Sequence, residues 1–137
     1  MVIIILITFK HILKRKGECS LYNIYFYKDK NGKEPVLDYI RELKNEKSKD
    51  SRIKLKKIQD YIQILSEHGT RAGEPYIKHI DGEIWELRPL KDRIFFITWH
   101  NDGFILLHHF VKKSQKTPSR EIEKAKREVA NLKRRGF

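Results

Sequence analysis

The stretch FVKKSQKTPSREIEKAKR, from Phe110 to Arg127, places fixed positive charge directly after an apolar run. Lys112, Lys113 and Lys116 are followed by a Thr-Pro pair and by a segment with helical spacing. Lysine presents a compact charge and arginine a planar fork, and both bind phosphate oxygens. The lysines at this point therefore indicate either a solvated surface or a site that handles phosphate.

Two arginines upstream are candidates for the same site. Arg88 lies near the end of the strand-like run EIWELRPL, and Arg93 lies near the start of the next run, DRIFFITWH. Side chains alternate between the two faces of a strand. If the loop between the runs has two or four residues, Arg88 and Arg93 lie close together on one face.

The following hairpin adds a histidine and a lysine to this prediction. Residues 101–103, Asn-Asp-Gly, are a strong hairpin signal. If these three residues form the loop, His109 and Lys113 share the face of Arg88 and Arg93. Positive groups this close together repel one another unless an anion lies between them, so these four residues are predicted to form a site. A register error of one residue would exchange the two faces.

Hydrophobic periodicity predicts the elements that position these residues. Alternating apolar residues after Leu21 predict a first strand, and the runs EIWELRPL, DRIFFITWH and GFILLHHFVKK predict an antiparallel meander. Residues 76–80 leave open one further short strand. Three apolar stripes predict a helical hairpin and a C-terminal helix. The stripes are Val36, Ile40 and Leu43; Leu55, Ile58, Ile62 and Leu65; and Ile122, Ala125, Val129 and Leu132.

The order β-α-α-β-β-β-α defines an α+β domain, in which an antiparallel sheet carries its helices on one side. Its length of 137 residues fits one domain. The formal net charge is +12, and over half of the excess lies within residues 112–137. Such an excess favours polyanionic partners, which include RNA, DNA, ribosomes, acidic proteins and anionic membrane, and does not choose among them.

The cysteine and histidine content shows which disulfides and metal sites the chain could form. Cys19 is the single cysteine, so an internal disulfide is excluded, which fits a cytoplasmic protein. The six histidines lack metal-ligand spacing, and His108 and His109 would point to opposite faces of a strand. No metal or other cofactor is therefore expected.

The N-terminal run VIIILITF is too short to span a bilayer and lacks the flanks of a secretory signal. It leaves three interpretations: an extra strand or helix, a weak membrane-surface anchor, or residues added by an upstream start codon. We favour the last. Residues 1–20 are then a dispensable extension, and residues 21–137 form the domain.

The segments WELRP, RIFFITW, ILLHHFVKKSQKTP and EIEKAKR together resemble the RelE/ParE toxin superfamily, and more closely its phage-derived HigB-like branch of type II toxins. The resemblance covers about residues 21–134. It implies a RelE-like fold, an antitoxin that silences the protein, and ribosome-dependent cleavage of messenger RNA without a metal. In that chemistry a ribose 2′-hydroxyl attacks the adjacent phosphate. Stable membrane association is not expected.

The resemblance also implies roles for three residues, and the chemistry of nearby side chains adds further candidates. Arg93, Arg88 and Lys113 match basic positions of the family. His109 is the candidate for proton transfer, because a neutral imidazole can exchange protons near pH 7. Lys116 is the candidate for stabilising the phosphate or the leaving group. The cations expected to bind RNA are Lys112, Lys124, Lys126 and Arg127.

The sequence departs from the best-known RelE members at two places. Ile84 and Glu86 occupy positions where those proteins have lysines, and residues 117–119 replace a region that holds a tyrosine. The assignment of general acid and base is open as a result, and Glu86 would be a base or would neutralise Arg88. Two alternative functions stay open: a ParE-like toxin that inhibits DNA gyrase without catalysis, and a simple RNA-binding module.

Overall fold

A computed structural model describes residues 21–136, which form three α-helices and one five-stranded sheet. The elements are β1 (Asn23–Phe26), α1 (Pro35–Asn45), α2 (Lys49–His68), a 3-10 turn (Gly69–Ala72), β2 (Ile77–Asp81), β3 (Ile84–Leu87), β4 (Asp92–Trp99), β5 (Gly103–Val111) and α3 (Ser119–Arg135). The predicted α+β order is confirmed, and the short strand left open at 76–80 is present as β2. The predicted extension at residues 1–20 lies outside the described residues.

The sheet has the order β1-β5-β4-β3-β2 and is mixed. Strands β3 to β5 form the predicted antiparallel meander and β2 extends it by one strand, but β1 pairs with β5 in parallel. The prediction of a purely antiparallel sheet was therefore wrong. Two helices and three strands separate β1 from β5 along the chain, so no tight turn imposes an antiparallel direction on this pair.

Helices cover both faces of the sheet, not one face as predicted. One core lies under α1 and α2, and it contains Ile40, Ile62 and Phe96. The second core lies under α3, and it contains Phe95 and Val129. Both faces are buried because α3 carries an apolar stripe of its own.

The helix ends follow local chemistry. Pro35 stands in the first turn of α1, where its missing N–H is not needed. The start of α2 is capped by Ser48, whose side chain accepts the backbone N–H of Ser51 at 3.1 Å. Gly69 ends α2, with φ of 62°.

The β4–β5 hairpin differs from the predicted register. Trp99 pairs with Gly103, so the loop is residues 100–102. A bulge next to Phe95 then leaves Leu107 as an extra residue in β5, because Phe96 pairs with Leu106 and Phe95 with His108.

Residues 21–136 contain no helix that is both long and apolar enough to cross a membrane.

Candidate functional site

The bulge decides which side chains share a face with the arginines. Beyond the bulge Arg93 pairs with Phe110, and Ile94 pairs with His109. His109 therefore faces the α1–α2 side, opposite to Arg93. The predicted convergence of His109 and Lys113 with the arginines was wrong, because one extra residue in β5 exchanges the faces of everything that follows it.

Arg88 and Arg93 meet at the carboxylate of Glu86. The Arg88 Nε lies 3.5 Å from Glu86 Oε2, and the Arg93 Nε lies 3.9 Å from the same oxygen. Glu86 is 0% exposed, and neither of its carboxylate oxygens accepts a hydrogen bond in the structure. The four-residue loop after β3 gives both arginines this common face, as their spacing predicted.

Lys112 completes this group. Its backbone N–H donates to Lys91 O at 2.9 Å, which extends the β4–β5 pairing by one step. Burial raises the pKa of Glu86, and the charges of Arg93, Lys112 and Arg88 oppose this rise. We call Glu86, Arg88, Arg93 and Lys112 the arginine site. Lys112, which was expected to bind RNA, takes the place predicted for Lys113.

Arg93 is the most constrained member of the arginine site. Its Nη1 donates to Leu90 O and to Asp92 O, both at 2.8 Å. These bonds fasten the β3–β4 loop, where Leu90 adopts a φ of 57°. Burial lowers the pKa of Arg93, and Glu86 raises it. Arg88 is more accessible, with 23% of its side chain exposed against 11% for Arg93.

An exposed carboxylate, missed by the sequence reasoning, adjoins the arginine site. Glu74 Oε1 lies 3.8 Å from Arg88 Nη1, and the Glu74 side chain is 68% exposed. Glu74 belongs to the segment between α2 and β2, which the sequence pattern did not place. No periodic signal in the sequence points to its position.

His109 belongs to a separate cluster on the opposite face. Its ring stacks on Tyr39 with centroids 3.6 Å apart, and its Nε2 lies 3.7 Å from Asp92 Oδ1. The Tyr39 hydroxyl donates to the same Asp92 oxygen at 3.0 Å. Burial lowers the pKa of His109 to about 4, and burial raises the pKa values of Tyr39 and Asp92. His109 is neutral at pH 7, as the proposed proton transfer would need. It packs α1 against the sheet, however, and lies on the face opposite to the arginine site.

His108 is a second residue that sequence reasoning missed. Its Nδ1 lies 2.5 Å from Glu128 Oε1, and its Nε2 lies 3.1 Å from Glu121 Oε1. His108 is 1% exposed, and both glutamates belong to α3. Each ring nitrogen therefore has a glutamate carboxylate of α3 within hydrogen-bond distance. The signal was present in the sequence, since Glu121 and Glu128 stand seven residues apart and hence on one helical face.

The remaining predicted residues lie outside the arginine site. Lys113 and Lys116 are exposed in the segment between β5 and α3, where the Ser114 hydroxyl donates to Lys116 O at 3.0 Å. Lys126 pairs with Asp81 at 3.0 Å. Lys124 and Arg127 line a groove on another flank of α3. Within residues 21–136 no group of three or more acidic, histidine or cysteine side chains is arranged to hold a metal ion.

Comparison with protein families identifies the class of protein. Residues 38–130 match the family described as phage derived protein Gp49-like (DUF891). Because this match covers more than half of the chain, the protein belongs to the Gp49-like family. That family is toxin-like, of the RelE kind in general. The matched range contains the whole arginine site. Comparison with curated proteins found no match.

Proposed function

We propose that this protein is the toxin of a type II toxin–antitoxin pair, of the HigB-like branch, and that it cleaves messenger RNA on the ribosome. Membership of a toxin-like family supports the toxin role. The observation that carries the cleavage is the arginine site, where Arg88, Arg93 and Lys112 lie around the buried carboxylate of Glu86, with Glu74 as the one further carboxylate recorded beside Arg88. This excess of positive charge suits a phosphate group.

In the proposed reaction the ribose 2′-oxygen attacks the adjacent phosphorus, and the bond from phosphorus to the 5′-oxygen breaks. The products are a 2′,3′-cyclic phosphate and a 5′-hydroxyl. Negative charge develops on the phosphorane oxygens, and Arg88 and Lys112 stabilise it because both are partly exposed. Arg93 contributes its charge from beneath, and Glu86 keeps the two guanidinium groups in place.

Proton transfer needs a group that reaches the RNA. Glu86 is fully buried, and His109 lies on the other face of the sheet. Glu74 is exposed beside Arg88, so we assign it as the base that takes the 2′-hydroxyl proton. The 5′-oxygen takes its proton from water or from Lys116, which lies outside the arginine site on the exposed segment that follows Lys112.

A translation extract programmed with one messenger tests this proposal. The purified protein should cut the messenger and leave 5′-hydroxyl ends. Arg88→Gln should abolish most of the cutting, whereas Arg52→Gln, which removes an equally charged but exposed residue of α2, should retain it. An uncut messenger would refute the proposed cleavage.

One observation favours the alternative of a ParE-like gyrase inhibitor. Neither acid–base candidate named from the sequence reaches a substrate at the arginine site, because Glu86 is 0% exposed and His109 lies on the other face of the sheet. A supercoiling assay with DNA gyrase, run beside the translation assay, separates the two functions. Inhibited gyrase with an intact messenger would assign the protein to the ParE kind, and no effect in either assay would leave an RNA-binding module.

A further inference from the structure

A groove of about 620 Å³ runs between α3 and the segment from β1 to α1. Its walls are formed by residues 27–38 on one side and residues 124–134 on the other. We call it the basic groove. It shares no lining residue with the arginine site.

The cations and anions of the basic groove differ in their partners. The cations are Lys30, Lys33, Lys124, Arg127 and Arg134. Among the described residues, none of them has a carboxylate within ion-pair distance. The carboxylates, by contrast, are engaged. Asp29 accepts two backbone N–H groups at 2.8 and 2.9 Å, Asp38 pairs with Arg41 at 3.6 Å, and Glu128 holds His108. The groove therefore carries a net positive charge, with five cations against three carboxylates.

The other flank of α3 provides an internal comparison. There Lys126 pairs with Asp81 at 3.0 Å, and Lys133 pairs with Glu83 at 2.7 Å. The β2–β3 hairpin thus supplies a carboxylate to each lysine that faces it. The segment that faces the basic groove supplies two further lysines instead, Lys30 and Lys33. Like charges gathered in one concave surface favour an anionic ligand over solvent alone.

We infer that the basic groove is the docking site of an acidic segment of a partner protein, and this inference rests on the proposed function, which requires an antitoxin. Charge complementarity selects the occupant. RNA fits less well, because single-stranded nucleic acid sites combine positive charge with exposed aromatic rings. The ring that lines this groove, Tyr27, is 4% exposed, and Arg135 lies over it at 5.8 Å.

Fluorescence anisotropy with a labelled peptide of alternating glutamate and alanine tests this inference. The peptide is titrated with purified protein at physiological ionic strength, where the general field of a basic protein is screened. The double variant Lys124→Gln/Arg127→Gln removes two charges from the basic groove. The matched control Lys126→Gln/Lys133→Gln removes two charges from the other flank of the same helix.

The groove variant should bind the peptide about tenfold more weakly, because two exposed ion contacts are lost, and the control should bind almost as the wild type does. Equal losses in both variants would overturn the inference, since the peptide would then sense only the net charge. An oligouridine of the same length is the competing probe. If it depends on Lys124 and Arg127 more strongly than the peptide does, the groove binds RNA and the inference fails.

This assay contains neither ribosomes nor messenger, so its result does not depend on cleavage. A protein that binds the peptide but leaves messenger intact would refute the proposed nuclease and keep the docking site. If the protein cuts messenger but all variants bind the peptide equally, the proposed nuclease stands and the docking site is refuted.

Discussion

Arg88 and Arg93 approach one and the same oxygen of Glu86, at 3.5 and 3.9 Å. Both contacts are longer than a hydrogen bond, so the carboxylate holds the two guanidinium groups by charge. Both Nε atoms are buried and Arg93 Nη1 already donates to two carbonyls, so a phosphate would approach through the terminal nitrogens of Arg88, whose side chain is 23% exposed. This geometry suits a phosphate that replaces weak internal pairing with bidentate hydrogen bonds.

Glu86→Gln should separate positioning from charge. The substitution preserves shape and removes the charge that fixes the two arginines, so the turnover rate should fall by up to about a hundredfold. KM for ribosome-bound messenger should stay equal or decrease, because the site gains net positive charge. Single-turnover and steady-state cleavage measure the two parameters. A rise in KM with an unchanged rate would contradict the positioning role.

A pair of substitutions, Lys112→Ala and Lys113→Ala, compares two adjacent lysines, of which only Lys112 belongs to the arginine site. Lys112 acts on Glu86, whereas Lys113 is exposed beyond β5. Cleavage should fall roughly a hundredfold for Lys112→Ala, as for loss of a charge-stabilising donor, and by no more than about threefold for Lys113→Ala. The cleavage rate at saturating ribosomes provides the measurement. The reverse order would place Lys113 in the site after all.

His109→Phe should change how stability depends on pH. The folded protein holds the pKa of His109 at about 4, below the ordinary 6.5. Between these values the unfolded chain binds a proton that the folded protein does not, so the free energy of unfolding falls as the pH falls from about 6.5 to 4. This contribution is on the order of 3 kcal/mol.

Phenylalanine keeps the stacking on Tyr39 and cannot titrate. The stability of His109→Phe should therefore decline less than that of the wild type across this window, while the two proteins stay similar near pH 7. Urea titrations at several pH values supply the curves. Taking the difference removes the opposite contributions of Glu86 and Asp92, whose pKa values are raised. Parallel curves would show that His109 titrates normally.

His108→Ala should destabilise the fold, because it leaves the buried Glu128 carboxylate without its partner. Removing the partner of a buried carboxylate costs about 3–5 kcal/mol. Glu121→Gln should cost much less, since that side chain is 16% exposed. The midpoint of urea unfolding provides the comparison. A loss no larger than that of Glu121→Gln would mean that α3 is held by its apolar stripe alone.

Much of this architecture could be predicted from the sequence, because buried positions recur as apolar residues at helical or strand spacing. The apolar stripes of the three helices are buried or partly buried where they were expected. The sequence also predicted that Arg88 and Arg93 lie on one face of the sheet. A connecting loop with an even number of residues, here four, keeps both arginines on the same face.

The bulge at Leu107 could not be predicted, because the hydrophobic pattern of β5 does not show it. Residues 104–107 of β5 are all buried, because helices cover both faces of the sheet. A strand that is apolar at every position shows no alternation that an inserted residue could interrupt. His108 and His109 are identical in type, so nothing in the sequence showed which of them faces α3. The pairing of Glu86 with both arginines needed the folded sheet as well.

Gly103 lies so close to β1 that a Cβ atom there would be 2.2 Å from the backbone oxygen of Asn23. The pairing that covers the outer edge of β5 thus depends on a missing side chain. Without β1, that edge would expose a row of unpaired N–H and C=O groups, which is a template for pairing with another chain. By allowing β1 to pair with β5, Gly103 therefore reduces the risk of aggregation, in addition to closing the β4–β5 hairpin.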